Sequence, residues 1–229
     1  MMREVQVGSN ARIYSLDLHY SSGAAVVGAA VSIQTSSGEY SATSGNNGVA
    51  SISIPNTVSL PNFVVATADN SNIQPEARAF PGNASTVQNE TVICNSAPSR
   101  ILVKERRLRH LGDNNYTGSE NSQLQISTEG TSLSYSFSLA SVPSSMPHIR
   151  LFARGVEEGT QLKINGITVD RLGDSSPDGD LSRYNFQLTA NPSTVFRVGN
   201  NTFTLETGYR ANIQDWDDIE YCSMILYYP

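Results

Sequence analysis

"SLSYSFSLA" at residues 132–140 alternates without a break: Leu133, Tyr135, Phe137 and Leu139 fall on one side and serines on the other. A period of two puts one face of a strand in a core and the other in water, as in an antiparallel sheet packed on one side. The same texture recurs downstream in "IRLFARGV" (149–156), "QLKING" (161–166), "RYNFQLTA" (183–190), "NTFTLETG" (201–208) and "IEYCSMILYY" (219–228). Upstream, "VSIQT" (31–35), "VASISIP" (49–55) and "FVVATA" (63–68) read as short strands, separated by turns such as "SSGEY" and "SGNNGV". No segment sustains a helical period. Turn signals at this spacing predict β-sandwiches.

"TVQNETVIC" (86–94) reads as a closing strand, and "NSAPSR" (95–100) as a linker in which Pro98 stops any ladder. "RILVKERRL" then opens a second series. The chain is expected to be all-β, with an Ig-like sandwich by size over residues 1–97 and a larger jelly-roll sandwich over 98–229. The chain has 229 residues, enough for two modest domains, with 38% hydrophobic residues, Gly 17 and Pro 10, which suits strands and turns.

The formal net charge of -6 argues against nucleic acid as a partner. The one basic island, "KERRLRH" (104–110), is expected to be a solvated strand face. Cys94 and Cys222 have no metal-type spacing. They allow one disulfide, but two buried free thiols are favoured, because free cysteine is so often buried. No run of about 18 apolar residues is present to span a membrane. "MMREVQVGSN" has no apolar signal region. The Ser/Thr/Asn-rich texture favours an extracellular or cell-surface location, with this chain as a piece of a larger exported protein.

Two stretches carry family resemblances. "GAAVVGAAVSIQTSSGEYSATSGNNGVASISIP" (23–55) resembles the carboxypeptidase-regulatory-like and bacterial Ig-like domains, which implies a spacer or stalk. "LKINGITV" (162–169), "YNFQL" (184–188) and "VGNNTFTLE" (198–206) resemble the galactose-binding-like jelly rolls found in carbohydrate-binding modules. That fold hosts many functions, so the resemblance bears on architecture first.

In such a jelly roll the first and last strands run antiparallel in one sheet. This brings "GDNNYTG" (112–118) to the same end as "QDWDD" (214–218). Asp113, Asn114 and Asn115 then approach Asp215, Asp217 and Asp218, and crowded carboxylates call for compensation. Calcium takes six to eight oxygen ligands, and modules of the resembled kind often hold a structural calcium beside the last strand. The expected ligands are Asp113, Asn115, Asp217 and Asp218. The alternative is that the loops are solvated or paired with Arg106 or Arg109. A second acidic loop, "GDSSPDGDLS" (173–182), reads as a plain turn.

A glycan site needs an aromatic platform flanked by planar polar groups. Trp216, the only tryptophan, lies within "DWDD"; Tyr209 and Arg210 belong to the same loop, and Tyr116 to the opposing one. Those four are the expected ligand-binding residues, unless Trp216 plugs the core. No catalytic motif is present, and adjacent Glu157 and Glu158 point opposite ways on a strand. The expected function is non-catalytic polysaccharide recognition, with an attached catalytic domain as one context. A structural or adhesive segment making protein–protein contacts is the alternative.

Overall fold

The computed structural model describes residues 10–83, 87–113, 124–157, 159–173, 181–211 and 214–229. The described chain is all-β, as the alternation predicts, with one four-residue helix, Pro192–Val195, capped by Asn191.

The first seven strands are β1 (Ala11–Tyr20), β2 (Ala30–Thr35), β3 (Gly38–Thr43), β4 (Val49–Pro55), β5 (Phe63–Asp69), β6 (Glu76–Pro81) and β7 (Gln88–Cys94). They form two sheets, β4-β1-β7 and β3-β2-β5-β6. β1 pairs antiparallel with β4 and parallel with β7. In β4 the alternation of "VASISIP" sends Ala50, Ile52 and Ile54 into a core with Tyr14, Leu16, Ile33, Val64 and Phe80, while Ser51 and Ser53 face water. "SSGEY" is not wholly a turn. Its last three residues begin β3, an edge strand with no fully buried residue, which leaves little hydrophobic signal to read.

The remaining strands are β8 (Arg100–Glu105), β9 (Arg109–Leu111), β10 (Ser132–Leu139), β11 (His148–Arg154), β12 (Gln161–Ile164), β13 (Ile167–Arg171), β14 (Ser182–Gln187), β15 (Gly199–Glu206), β16 (Tyr209–Arg210), β17 (Asp215–Trp216) and β18 (Ile219–Tyr228). Sheet β10-β15-β12-β13 packs over sheet β14-β11-β18-β8, with β9 also paired to β18. Their shared core includes Phe137, Leu139, Leu151, Leu162, Phe203, Leu205, Met224 and Leu226. The serines of β10 face outward, and Ser134 hydrogen-bonds Thr204 across the strand pair at 2.7 Å.

The two sandwiches are stacked. β5, β11 and β18 are buried almost throughout, on both faces. Val64, Ala66 and Ala68 of β5 enter the first core, whereas Val65 turns the other way to meet Ala77, Leu108, Phe152 and Cys222 in a third apolar cluster. β18 manages two faces through a bulge. Its register with β11 shifts between Arg150 and Phe152, and Ser223 takes φ +51. The extra residue moves the core-facing set from Ile219 and Tyr221 to Met224 and Leu226. It also aims the Ser223 hydroxyl at the Glu76 carbonyl, 2.7 Å away.

At the centre of this junction Arg150 Nη2 meets Glu76 Oε1 at 2.5 Å, with side chains 2% and 1% exposed. Arg150 Nη1 also donates to Gln74 Oε1 at 3.0 Å. Burial pushes the Glu76 carboxyl up, and the Arg150 charge offsets that only in part. The basic island is not simply a solvated face: Lys104 and Arg106 latch onto the first sandwich, Arg109 is tied within the second, and Arg107 stays exposed. Lys104 pairs with Asp69 at 2.6 Å, Arg106 reaches Glu39 at 3.5 Å, and Arg109 bonds Glu105 and Glu129. Both cysteines are free and buried, and burial pushes each thiol up to about 12.

A buried pair broken on one side leaves an uncompensated charge, which costs about 3–5 kcal/mol. Glu76→Ala and Arg150→Ala should each lower the urea-unfolding free energy by about that amount. The double replacement Glu76→Leu with Arg150→Met should recover most of the loss. Single variants as stable as the parent would show that the pair does not lock the junction.

Candidate functional site

β18 runs antiparallel to both β8 and β9, with Leu111 opposite Ile219 and His110 opposite Glu220. Gly112 therefore lies against Asp218, so closely that a Cβ there would collide with the Asp218 carboxylate. The polar loop after β9 and the acidic loop before β18 start from one end of the second sandwich.

Asp218 is buried and faces a histidine. His110 Nε2 lies 3.0 Å from Asp218 Oδ1, and His110 Nδ1 lies 2.6 Å from the Ile126 carbonyl. Both partners present acceptor oxygens, so this pocket favours the doubly protonated ring, in which both nitrogens donate. Burial pulls the His110 pKa down. The Asp218 hydrogen bond, the Ile126 carbonyl and the Glu220 charge outweigh it and leave the pKa above the usual histidine value.

The next inward acid, Glu220, has a fuller set of partners. Its Oε2 accepts from Arg154 Nε at 2.9 Å and Nη2 at 2.5 Å. Its Oε1 accepts from the amides of Gln125 and Ile126 at 2.5 and 2.7 Å. Gln125 Oε1 accepts from Val65 N at 2.8 Å, and its amide nitrogen donates to the Gln34 carbonyl. Arg154 Nη1 also reaches the Phe63 carbonyl at 3.3 Å. One buried network thus ties the segment at 124–127 to both sandwiches. Sequence reasoning missed His110, Gln125, Arg154 and Glu220. The signal lay in "IEYCSMILYY", where a lone acid in an apolar strand requires a buried partner.

The aromatic residues sit on a short hairpin. β16 and β17 pair Tyr209 with Trp216 and Arg210 with Asp215. The Tyr209 and Trp216 rings are 4.8 Å apart at 46°. Tyr209 is 47% exposed and Trp216 is half-buried, so Trp216 is not wholly inside the core. Gln214 turns the chain at φ +54. Asp217 N donates to the Gly208 carbonyl at 2.9 Å, and Asp217 Oδ2 accepts from Glu157 N at 3.0 Å, which fastens the hairpin base to the sandwich.

The fold thus brings Tyr209 and Trp216 into contact. Arg210 is on the same hairpin, with its side chain outside the described residues. Asn115 and Tyr116 also lie outside them, as do Asn114 and the acids Asp174, Asp178 and Asp180 of the second loop. Asp113 is exposed, whereas Asp215, Asp217 and Asp218 are buried.

Among the described residues no three His, Cys, Asp or Glu side chains converge in a way that could hold a metal ion. The Asp217 and Asp218 carboxylates address different partners, the Glu157 amide and His110. The described donors do not make a calcium cage by themselves. Two further oxygens stand at this end of the sheet. The Thr160 and Thr207 hydroxyls flank the Gln161–Glu206 pair, are fully buried, and find no hydrogen-bond partner among the described residues.

No family model and no curated protein matches the chain. Among solved structures it is similar to the Bacillus anthracis TIE protein, at 9% identity and a TM-score of 0.32, over 86% of this chain and 31% of that one. It is similar to BcpA, the major pilin subunit of Bacillus cereus, at 10% identity and a TM-score of 0.31, over 95% and 69%. It is similar to a proposed carbohydrate binding protein of Bacteroides uniformis, at 11% identity and a TM-score of 0.23, over 95% and 99%. The chain spans about a third of the length of the first of these. Likeness at these scores supports no statement about function.

A raised histidine pKa in the folded state contributes stability that is complete below the unfolded value, about 6.5, and is lost as pH rises through the folded value. The unfolding free energy should therefore fall as pH rises from about 6.5 through the higher folded-state value. His110→Gln should flatten the slope and lower stability most at the acidic end. Identical pH profiles for parent and variant would refute the charged His110–Asp218 pair.

Proposed function

We propose that the chain is a non-catalytic glycan-binding unit whose contact surface is the Tyr209–Trp216 hairpin. The observation that carries this is the aromatic pair itself, with one ring 47% exposed and the pair seated beside the buried acids Asp215 and Asp217. Exposed aromatic surface is normally minimised in a soluble domain, and a paired platform offers π-faces to the C–H side of a sugar ring. The hairpin base is fixed by Asp217, so the rings are held in place before a ligand arrives. Such preorganisation raises affinity by lowering the ordering cost of binding. The unit would act at the cell surface or outside the cell, as part of a larger exported protein.

A second reading is a structural or adhesive segment that makes protein–protein contacts. It is favoured by the stacked junction, where the buried Arg150–Glu76 pair joins the sandwiches in place of a loose linker. Both readings can hold for one chain, but only the first requires the hairpin to bind sugar.

Polysaccharide affinity gels and a glycan array test the first reading. Trp216→Ala and Tyr209→Ala should each weaken the best-bound glycan by about tenfold or more, the loss typical of an aromatic anchor. A protein that binds no glycan, or variants that bind like the parent, would leave the adhesive reading in its place.

Calcium is a separate proposal, supported by the family resemblance and by the unpaired Thr160 and Thr207 hydroxyls. A cation bound only by the folded chain raises its melting temperature by mass action. A rise on adding calcium to chelator-treated protein would support a site including Asp113, Asn115, Asp217 and Asp218. Superimposable melting curves would remove it.

A further inference from the structure

The stacked junction leaves a cavity of about 440 Å³ lined by Ala77, Arg78 and Ala79 of the first sandwich and by Phe152, Leu181 and Ser182 of the second. Its apolar wall is Phe152, 4% exposed, with the Arg150 guanidinium 5.3 Å from the ring centroid. Arg183 is directly opposite Phe152 in the β11–β14 register. Cross-strand partners project from the same face of a sheet, so Arg183 rises beside this cavity.

The charges here do not balance. The charges of Arg150, Arg78 and Arg183 all bear on the single Glu76 carboxylate. Arg150 already neutralises Glu76 at 2.5 Å, while Arg78 stands off at 3.9 Å. Arg183 is exposed and forms no ion pair among the described residues. Among the described residues two positive charges are thus left at a concave, part-apolar site, on a chain whose formal net charge is -6. A guanidinium fork matches a carboxylate in plane and spacing, and a cavity of this size admits one ring.

We propose that this cavity is a subsite for a carboxylate carried on a ring, and that in a glycan the residue it takes is a uronic acid. Arg183 and Arg78 would hold the carboxylate, with Phe152 against the ring carbons. The sugar assignment rests on the glycan reading above; the carboxylate assignment does not.

Calorimetric or NMR titration of the full chain with glucuronate, galacturonate, glucose and benzoate tests this at low ionic strength. A hexuronate should bind at least about tenfold tighter than glucose, Arg183→Gln should remove that advantage, and salt should weaken it. Trp216→Ala should leave it unchanged. Arg183 is exposed, so its replacement should leave the melting temperature unaltered. Hexuronate binding no tighter than glucose, together with silent benzoate, would overturn the subsite, and so would an Arg183→Gln variant that binds like the parent. Arg183-dependent binding of benzoate alone would keep the carboxylate pocket and overturn its uronic acid assignment. Loss of hexuronate binding in Trp216→Ala would place the acid on the hairpin and overturn the cavity.

Discussion

The buried pair between Arg150 and Glu76 is the constraint on which the architecture turns. Each side chain is nearly inaccessible, and each comes from a different sandwich. An ion pair so far from water contributes little net stability, because desolvation opposes the Coulomb attraction. Its effect is on specificity: a misaligned stack would leave two charges unpaired in an apolar setting. The third apolar cluster supplies the attraction, and the ion pair fixes the register in which it acts. The rim contacts of Lys104 and Arg106, more exposed, matter less.

This stacking explains which parts of the fold were legible in the sequence. β4 and β10 alternate cleanly because each has one face in water, and their residues announce themselves. β5, β11 and β18 are covered on both sides, so their near-continuous apolar runs identify strands but conceal which side chain faces which core. The bulge at Ser223 makes this harder, since it switches the phase within a single strand. Edge strand β3 failed for the opposite reason, because almost nothing in it is buried.

The candidate site was legible in outline and hidden in detail. The pairing of first and last strands follows from topology, and it places Gly112 against Asp218. The identity of the compensating charge did not follow. His110 sits in a basic run that suggests solvent, yet its side chain is fully buried and has acceptors at both ring nitrogens. Alternation gives no sign of this, since a charged side chain can point inward only when a distant segment supplies the acceptors. Ile126 and Asp218 do so here, 16 and 108 residues further along the chain. The Tyr209–Trp216 contact was likewise invisible as a contact, although both residues could be singled out by type.

The strand directions at the two ends of the chain carry a mechanical consequence. β1 and β7 run parallel and in register from Tyr14–Gln88 to Tyr20–Cys94. Tension applied at Ala11 and Cys94 would draw those strands past each other and load their hydrogen bonds together. β8 and β18 are antiparallel, and Arg100 lies opposite Tyr228. Tension across those two residues would peel the ladder open one bond at a time. The same chain therefore contains a shear joint followed by a zipper, and the direction of pull decides which of them yields.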